Sequence, residues 1–171
     1  APQVHWYQHF AGWRVRAETP VFSPQRVTLM EFLPLPAGER FHSSIPFLYV
    51  LPFTTHEALL EVTWFGPEVW EPAVYETQLR ALLEERIGDN YEVIERERGI
   101  LPMSTVPLER RPSPRTMRLG IGGGAARPST GYAFLAIQRQ AQQWAPRLLR
   151  HDLDALAEPY STPVAWLDET F

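Results

Sequence analysis

The sequence of 171 residues contains no cysteine. That excludes a disulfide framework and any thiolate metal site, and leaves the redox compartment unread. Lysine is absent as well, so all 16 basic side chains are arginine. The arginines are scattered, a pattern closer to GC-rich coding than to a binding patch. With a net charge of −4, no nucleic acid is expected as a partner. No apolar run approaches the length of a membrane span, and no signal peptide is visible. There is no internal repeat and no low-complexity segment. His5 and His9 share one face of a strand, yet no carboxylate or third histidine stands at ligand spacing, so no metal site is expected. Ser129 lies outside a G-x-S-x-G elbow and has no evident histidine partner, which argues against serine hydrolase chemistry.

What is present is apolar and aromatic. Hydrophobic residues make up 44% and aromatics 12% of the chain, enough for one domain with a genuine core. The 17 prolines punctuate it often. It opens at Ala1, without Met, directly into an aromatic run, which reads as a fragment of something longer. Val4–Arg16 reads as a strand broken by Gly12, and Val27–Leu33 as a second strand ended by Pro34 and Pro36. Gly38-Glu39 marks a turn. Phe47–Phe53 and Ala58–Phe65 form a strand pair around the loop Thr54–Glu57. Pro72 suits the first turn of a helix carrying Tyr75, Leu79, Leu82, Leu83 and Ile87, with Gly88 as its stop. Tyr91–Ile94 and Gly99–Met103 read as two short extended pieces, Pro107–Pro114 as an exposed basic loop, and Met117–Ile121 as a strand. A helix follows with Phe134, Ile137, Ala141, Trp144, Ala145 and Leu148 on one face, kinked or shortened by Pro146; His151–Phe171 is weakly helical. The expected class is α+β: a mainly antiparallel sheet with two or three helices, or one lobe of a larger α/β protein. The division expected is a sheet-rich region over 1–116, with one helix near 71–88, and a strand–glycine–helix region over 117–171.

Two features carry chemistry. Arg118–Phe134 breaks into Gly122, Gly123 and Gly124, then passes Pro128, Ser129, Thr130 and Gly131 into the helix. Glycines at a strand-to-helix turn let backbone approach a ligand closely, and a helix start presents unpaired N–H groups. The loop is neither G-x-G-x-x-G nor a P-loop, so a part of a cofactor site and a plain Gly-rich loop both remain open. The second feature is Glu61, set between apolar neighbours in a strand where Leu59, Glu61 and Thr63 share one face and Leu60, Val62 and Trp64 the other. Held against an aromatic surface, its carboxyl would have a raised pKa and act as a general acid near neutrality. On a solvated face it would be ordinary. Trp6, Trp13, Trp64, Trp70, Phe47, Tyr49 and Phe53 all fall on strands or their ends. They serve either as core or as the walls of a groove for a long apolar ligand, whose ring faces also stabilise positive charge.

Five blocks taken in order resemble the flavoprotein lycopene cyclases: Gln8–Trp13, Phe47–Phe53, Ala58–Thr63, Gly99–Met103 and Gly122–Tyr132. The resemblance implies a fold of the glutathione-reductase type, with a dinucleotide-binding unit beside a sheet-based substrate domain. It casts this chain as an internal fragment lacking the N-terminal strand–GxGxxG–helix unit and the C-terminal end. The implied activity is that of an isomerase (an intramolecular lyase): redox-neutral, proton-initiated cyclisation of lycopene ends, in β-carotene or γ-carotene formation. By resemblance Glu61 is the general acid–base. Val62 replaces the second carboxylate of the plant-type acidic pair, leaving one carboxylate at that motif. Gly122, Gly123, Gly124, Pro128, Ser129, Thr130, Gly131 and Tyr132 would contact the flavin end of FAD, reduced by NAD(P)H and doing no net redox work. Trp13, Tyr49, Phe53 and Trp64 would line the carotenoid. Lycopene resides in membranes, so a cytoplasmic, peripherally membrane-associated enzyme is expected. Two other readings are a flavin-dependent monooxygenase or halogenase-like domain, and a non-catalytic module binding apolar ligands.

Overall fold

The computed structural model describes residues 6–106, 108–113 and 116–152. The chain divides into two compact units at Leu101/Pro102, ahead of the 116/117 boundary read from the sequence. The first unit is α+β. Its strands are β1 (Trp6–Ala17), β2 (Thr28–Phe32), β3 (Ile45–Pro52), β4 (Glu57–Gly66) and β5 (Tyr91–Met103, whose last two residues lie past the division), and its helix is α1 (Pro72–Ile87). They form a sheet of order β2-β3-β4-β1-β5, in which β1–β4, β3–β4 and β2–β3 are antiparallel.

The core lies between one face of this sheet and α1. Val15, Trp13, Leu48, Ala58, Leu60, Val62 and Trp64 meet Tyr75, Leu79 and Leu83, which recur on one helix face at helical spacing. Each strand alternates, so the same pattern that buries Leu60, Val62 and Trp64 turns Leu59, Glu61 and Thr63 to the other side. Pro72 opens α1 and Gly88, at φ +76°, closes it by donating its N–H to the Glu84 carbonyl at 3.1 Å. An aromatic cap of Phe41, Trp64 and Trp70, with ring centroids 4.9 to 5.7 Å apart, seals one end of the core.

Three local expectations change. Gly12 does not break β1, because it sits inside a strand with neighbours on both sides, and ladder pairing outweighs a glycine's cost of about 0.5–1 kcal/mol. Tyr91–Ile94 and Gly99–Met103 are not separate pieces but the ends of one strand, β5. Its middle, Glu95–Arg98, has no apolar residue to announce a strand, yet charges suit an edge. Met117–Ile121 is not a strand: Gly120, at φ +57°, turns the chain into a 3-10 helix over Gly120–Gly123.

In the second unit that helix ends at Gly124, which is left-handed at φ +79°. The Ala125 N–H donates to the Gly120 carbonyl at 2.9 Å, closing the loop on itself. Helix α2 (Phe134–Leu149) follows and continues through Pro146 for its last turn. The Pro107 and Pro114 ends of the basic loop, and the tail from residue 153, lie outside the described residues. Among the described residues, no helix is long and apolar enough to cross a membrane.

Candidate active site

The register of β1, β4 and β3 lays residues out in rows across the sheet face opposite α1. Glu61 is the Cα partner of Gly12 on one side and of Tyr49 on the other. Above that row, Thr63 is flanked by Phe10 and Phe47; below it, Leu59 by Arg14 and Leu51. Strand β5 extends the rows beyond β1. A Cβ on Gly99 would stand 2.5 Å from the Phe10 ring, and one on Gly12 would stand 3.0 Å from both Cγ and Oε1 of Glu97. Glu95 lies 3.7 Å from Arg14. These contacts ascend on β1 while they descend on β5, the order of an antiparallel pair.

The middle row therefore reads Glu97, Gly12, Glu61, Tyr49 across four strands. Strands lie ~4.8 Å apart, so two glutamates separated by one intervening strand meet only if nothing stands between them. Gly12 supplies that gap. The Thr63 hydroxyl, fully buried, donates to Glu61 Oε1 at 3.0 Å. Burial raises the Glu61 carboxyl from 4.5 to about 7; the Thr63 hydrogen bond opposes this, while a hydrogen bond with Glu97 and its charge add to the rise. The two carboxyls share a site, and a second carboxyl beside Glu61 opposes its ionisation. Nearby, Arg14 is held by Glu57, its Nη2 standing 2.5 Å from Oε1. Phe47 touches Phe65 and Tyr49, with centroids 5.0 and 5.5 Å away, so the wall beside Glu61 is aromatic.

Tyr49 thus shares the Glu61 face. Phe53, beyond the end of β3, is exposed and carries the Arg14 guanidinium 4.8 Å above its ring. Trp13 and Trp64 lie on the opposite, helix-side face, because their positions alternate with Gly12 and Thr63. Trp64 is fully buried and donates its indole N–H to Gln78 on α1 at 2.9 Å. Trp13 lines a cavity of about 460 Å³ between β1, β5 and the start of α1, with Tyr75, Trp70, Arg96 and Ile100.

His9 also belongs to the helix side. It is fully buried, its Nδ1 2.5 Å from the Tyr75 hydroxyl and its ring edge-on to Trp70. Burial pushes it down to about 4, against a smaller opposing effect of the Glu68 backbone, so it is neutral at physiological pH. Burial likewise raises Tyr75 to about 12. His5 lies outside the described residues.

In the second unit, Cβ atoms built on Gly122 and Gly124 would meet nothing within 4 Å, whereas one on Gly123 would run into the Arg118 carbonyl. Gly122 and Gly124 thus present bare, approachable backbone. Pro128–Tyr132 winds around Arg127, whose N–H donates to the Tyr132 carbonyl at 3.0 Å and whose carbonyl accepts from Gly131 at 2.8 Å. Tyr132 is exposed at 57%.

Sequence reasoning missed Glu97. Its signal was the pairing of a mid-strand glycine with an alternating acidic run, Glu95 and Glu97, and that signal becomes readable only once β5 is seen to be continuous.

Comparison with known proteins agrees with this architecture. The family described as "Lycopene cyclase protein" matches residues 1–166. The chain belongs to the lycopene cyclase family. Among solved structures it is similar to a geranylgeranyl bacteriochlorophyll reductase-like protein from Thermoplasma acidophilum, with 14% identity and a TM-score of 0.54. That match covers 99% of this chain and 40% of the other, so the chain spans well under half of that structure's length. At this identity the likeness is one of fold. Comparison with curated proteins gives no match.

Proposed function

We propose that this chain supplies the acid–base group and part of the flavin site of a lycopene cyclase. Such an enzyme is an isomerase that closes the linear ends of lycopene, or of a related acyclic carotenoid, into rings without net oxidation. The observation that carries the reading is Glu61: a carboxyl raised to about 7 on an aromatic sheet face, in a chain of this family.

In this scheme the protonated Glu61 gives up its proton to the terminal double bond, whose π electrons form the new C–H bond and leave a carbocation. The neighbouring double bond attacks that cation and closes the ring. Loss of a proton from the adjacent ring carbon returns electrons to a ring double bond. One proton enters, one leaves, and no electrons are exchanged. Thr63 orients the Glu61 carboxyl through its 3.0 Å hydrogen bond. Phe10, Phe47, Tyr49 and Phe65 keep water from the cation and turn electron-rich rings toward it.

The open backbone at Gly122 and Gly124 would let a cofactor approach closely. Those residues, with Pro128, Ser129, Thr130, Gly131 and Tyr132, would hold the flavin end of FAD. When bound and reduced, the flavin supplies an electron-rich surface that stabilises positive charge. NAD(P)H would maintain the reduced state without being consumed in proportion to product. A lipid-borne substrate favours peripheral contact with a membrane surface, which flotation with liposomes would test.

The decisive experiment is Glu61→Gln in the intact, flavin-loaded protein. Ring formation should fall by roughly 10²–10⁴-fold while flavin binding persists. Unimpaired cyclisation in that variant would overturn the assignment.

A further inference from the structure

We infer that Glu97 is a positioning residue for Glu61, reaching it across the side-chain-free position Gly12 so that the two carboxyls hold one proton between them. The inference rests on the cyclase reading for its catalytic meaning, but its geometry stands apart from that reading.

The argument begins with the row Glu97, Gly12, Glu61, Tyr49. Any side chain at position 12 would occupy the space that Glu97 fills, since a Cβ there would stand 3.0 Å from Glu97 Cγ and Oε1. A glycine is costly inside a doubly flanked strand, and here its cost coincides with a carboxyl–carboxyl contact. Carboxylates do not approach one another when both are ionised; a hydrogen bond between them requires a proton on one. The other groups facing Glu61 do not supply an alternative partner of opposite charge. Tyr49 on β3 has no cationic form, Thr63 on β4 is a neutral donor, and Arg14 on β1 is committed to Glu57 and Glu95. Arg16, further along β1, lies 3.5 Å from Glu57 as well.

Glu97 is the exposed member of the pair and Glu61 the enclosed one. This division fits an acid that must stay protonated against an apolar substrate yet exchange with solvent between turnovers. During cyclisation the Glu61 O–H bond breaks as the substrate C–H bond forms, leaving the pair with two negative charges opposite one carbocation. The C–H bond lost at the ring carbon then returns one proton to the pair. The pair ends as it began. The sequence motif retains only one carboxylate, with Val62 at the second position; Glu97 would restore a second carboxylate from a different strand.

The test uses the intact flavin-loaded protein with ¹³C-labelled glutamate, in Glu97→Gln, Glu97→Asp and Gly12→Ala variants. Carboxyl titration is followed spectroscopically alongside the pH profile of ring formation. With Glu97→Gln, the Glu61 midpoint should fall by about one pH unit or more, because a like charge is replaced by an amide donor. The alkaline limb of the rate profile should move with it, and Glu97→Asp should recover part of the shift. Gly12→Ala should separate the two carboxyls and perturb the Glu61 midpoint without removing either group. A Glu61 midpoint that ignores Glu97→Gln overturns the inference, as does an Asp variant no different from Gln. If the carboxyls titrate as a pair but the wild-type protein forms no rings, the pair is supported and the cyclase reading falls.

Discussion

Gly12 on β1 and Glu61 on β4 are Cα partners, and the side chain missing from the first is what gives the carboxyl of the second a neighbour. Glycine in a strand interior lowers β stability, so its placement beside a half-buried glutamate is informative. It converts one row of an antiparallel sheet into a channel through which a carboxyl from the next strand reaches inward. Burial has already raised the Glu61 carboxyl; a second carboxyl then raises it further.

Folding stability should show two opposed pH dependences. His9 is lowered from 6.5 to about 4, so between those values the unfolded chain binds more protons and stability rises with pH. Glu61 is raised from 4.5 to about 7, so across that window the folded chain binds more protons and stability falls as pH rises. The two slopes offset each other where the windows overlap. Glu61→Gln should therefore expose a rising slope below neutrality, and His9→Gln a falling one, in urea denaturation repeated across pH. Identical slopes in both variants would contradict the burial-driven shifts.

Burial should decide how much each aromatic side chain contributes to stability. Trp64→Ala removes a fully buried ring and its hydrogen bond to Gln78, and should cost about 3–5 kcal/mol. Phe53→Ala removes a ring that is 53% exposed and should cost under about 1 kcal/mol. Equilibrium denaturation of both variants measures the difference; similar losses would contradict the burial of Trp64 against the exposure of Phe53.

Tyr75→Phe should destabilise by roughly 1–3 kcal/mol, because His9 Nδ1 would be left in the core without its 2.5 Å partner. Chemical denaturation measures this directly. A neutral result would mean that another group satisfies the ring.

The glycine loop offers a graded test of flavin contact. A Cβ at position 122 meets nothing, so Gly122→Ala should leave the melting temperature unchanged while weakening flavin binding, measured by fluorescence titration. Gly124→Ala should cost about 1 kcal/mol in stability through its left-handed backbone. Gly123→Ala should be the most damaging to folding, since its Cβ collides with backbone rather than with a movable side chain. Undiminished flavin affinity in Gly122→Ala would remove this loop from the cofactor site.

Much of this was legible along the chain because its physics is local. Alternation over Leu59–Trp64 predicted which side chains share the Glu61 face, and Pro72 and Gly88 bracketed a helix that α1 reproduces to the residue. Glu61 itself stood out as a charge among apolar neighbours, although its strand pattern left open whether its face was enclosed or solvated. Other features escaped because their causes are not local. The charged middle of β5 looked like an interruption, since nothing in Glu95–Arg98 signals a strand until an edge position makes charge tolerable. Gly12 looked like a break, since its tolerance depends on ladders on both sides. The expected strand over Met117–Ile121 failed because positive backbone angles at Gly120 and Gly124 bend the chain into local hydrogen bonds. By itself, the sequence determined the α+β class and the limits of α1, which follow from periodicity and end signals, while the family was legible from five blocks of resemblance. Tertiary structure alone decided that Trp13, on another strand, faces away from Glu61 and that Glu97 faces toward it. Register between strands depends on pairing across the sheet, and no residue carries that information in its own neighbourhood.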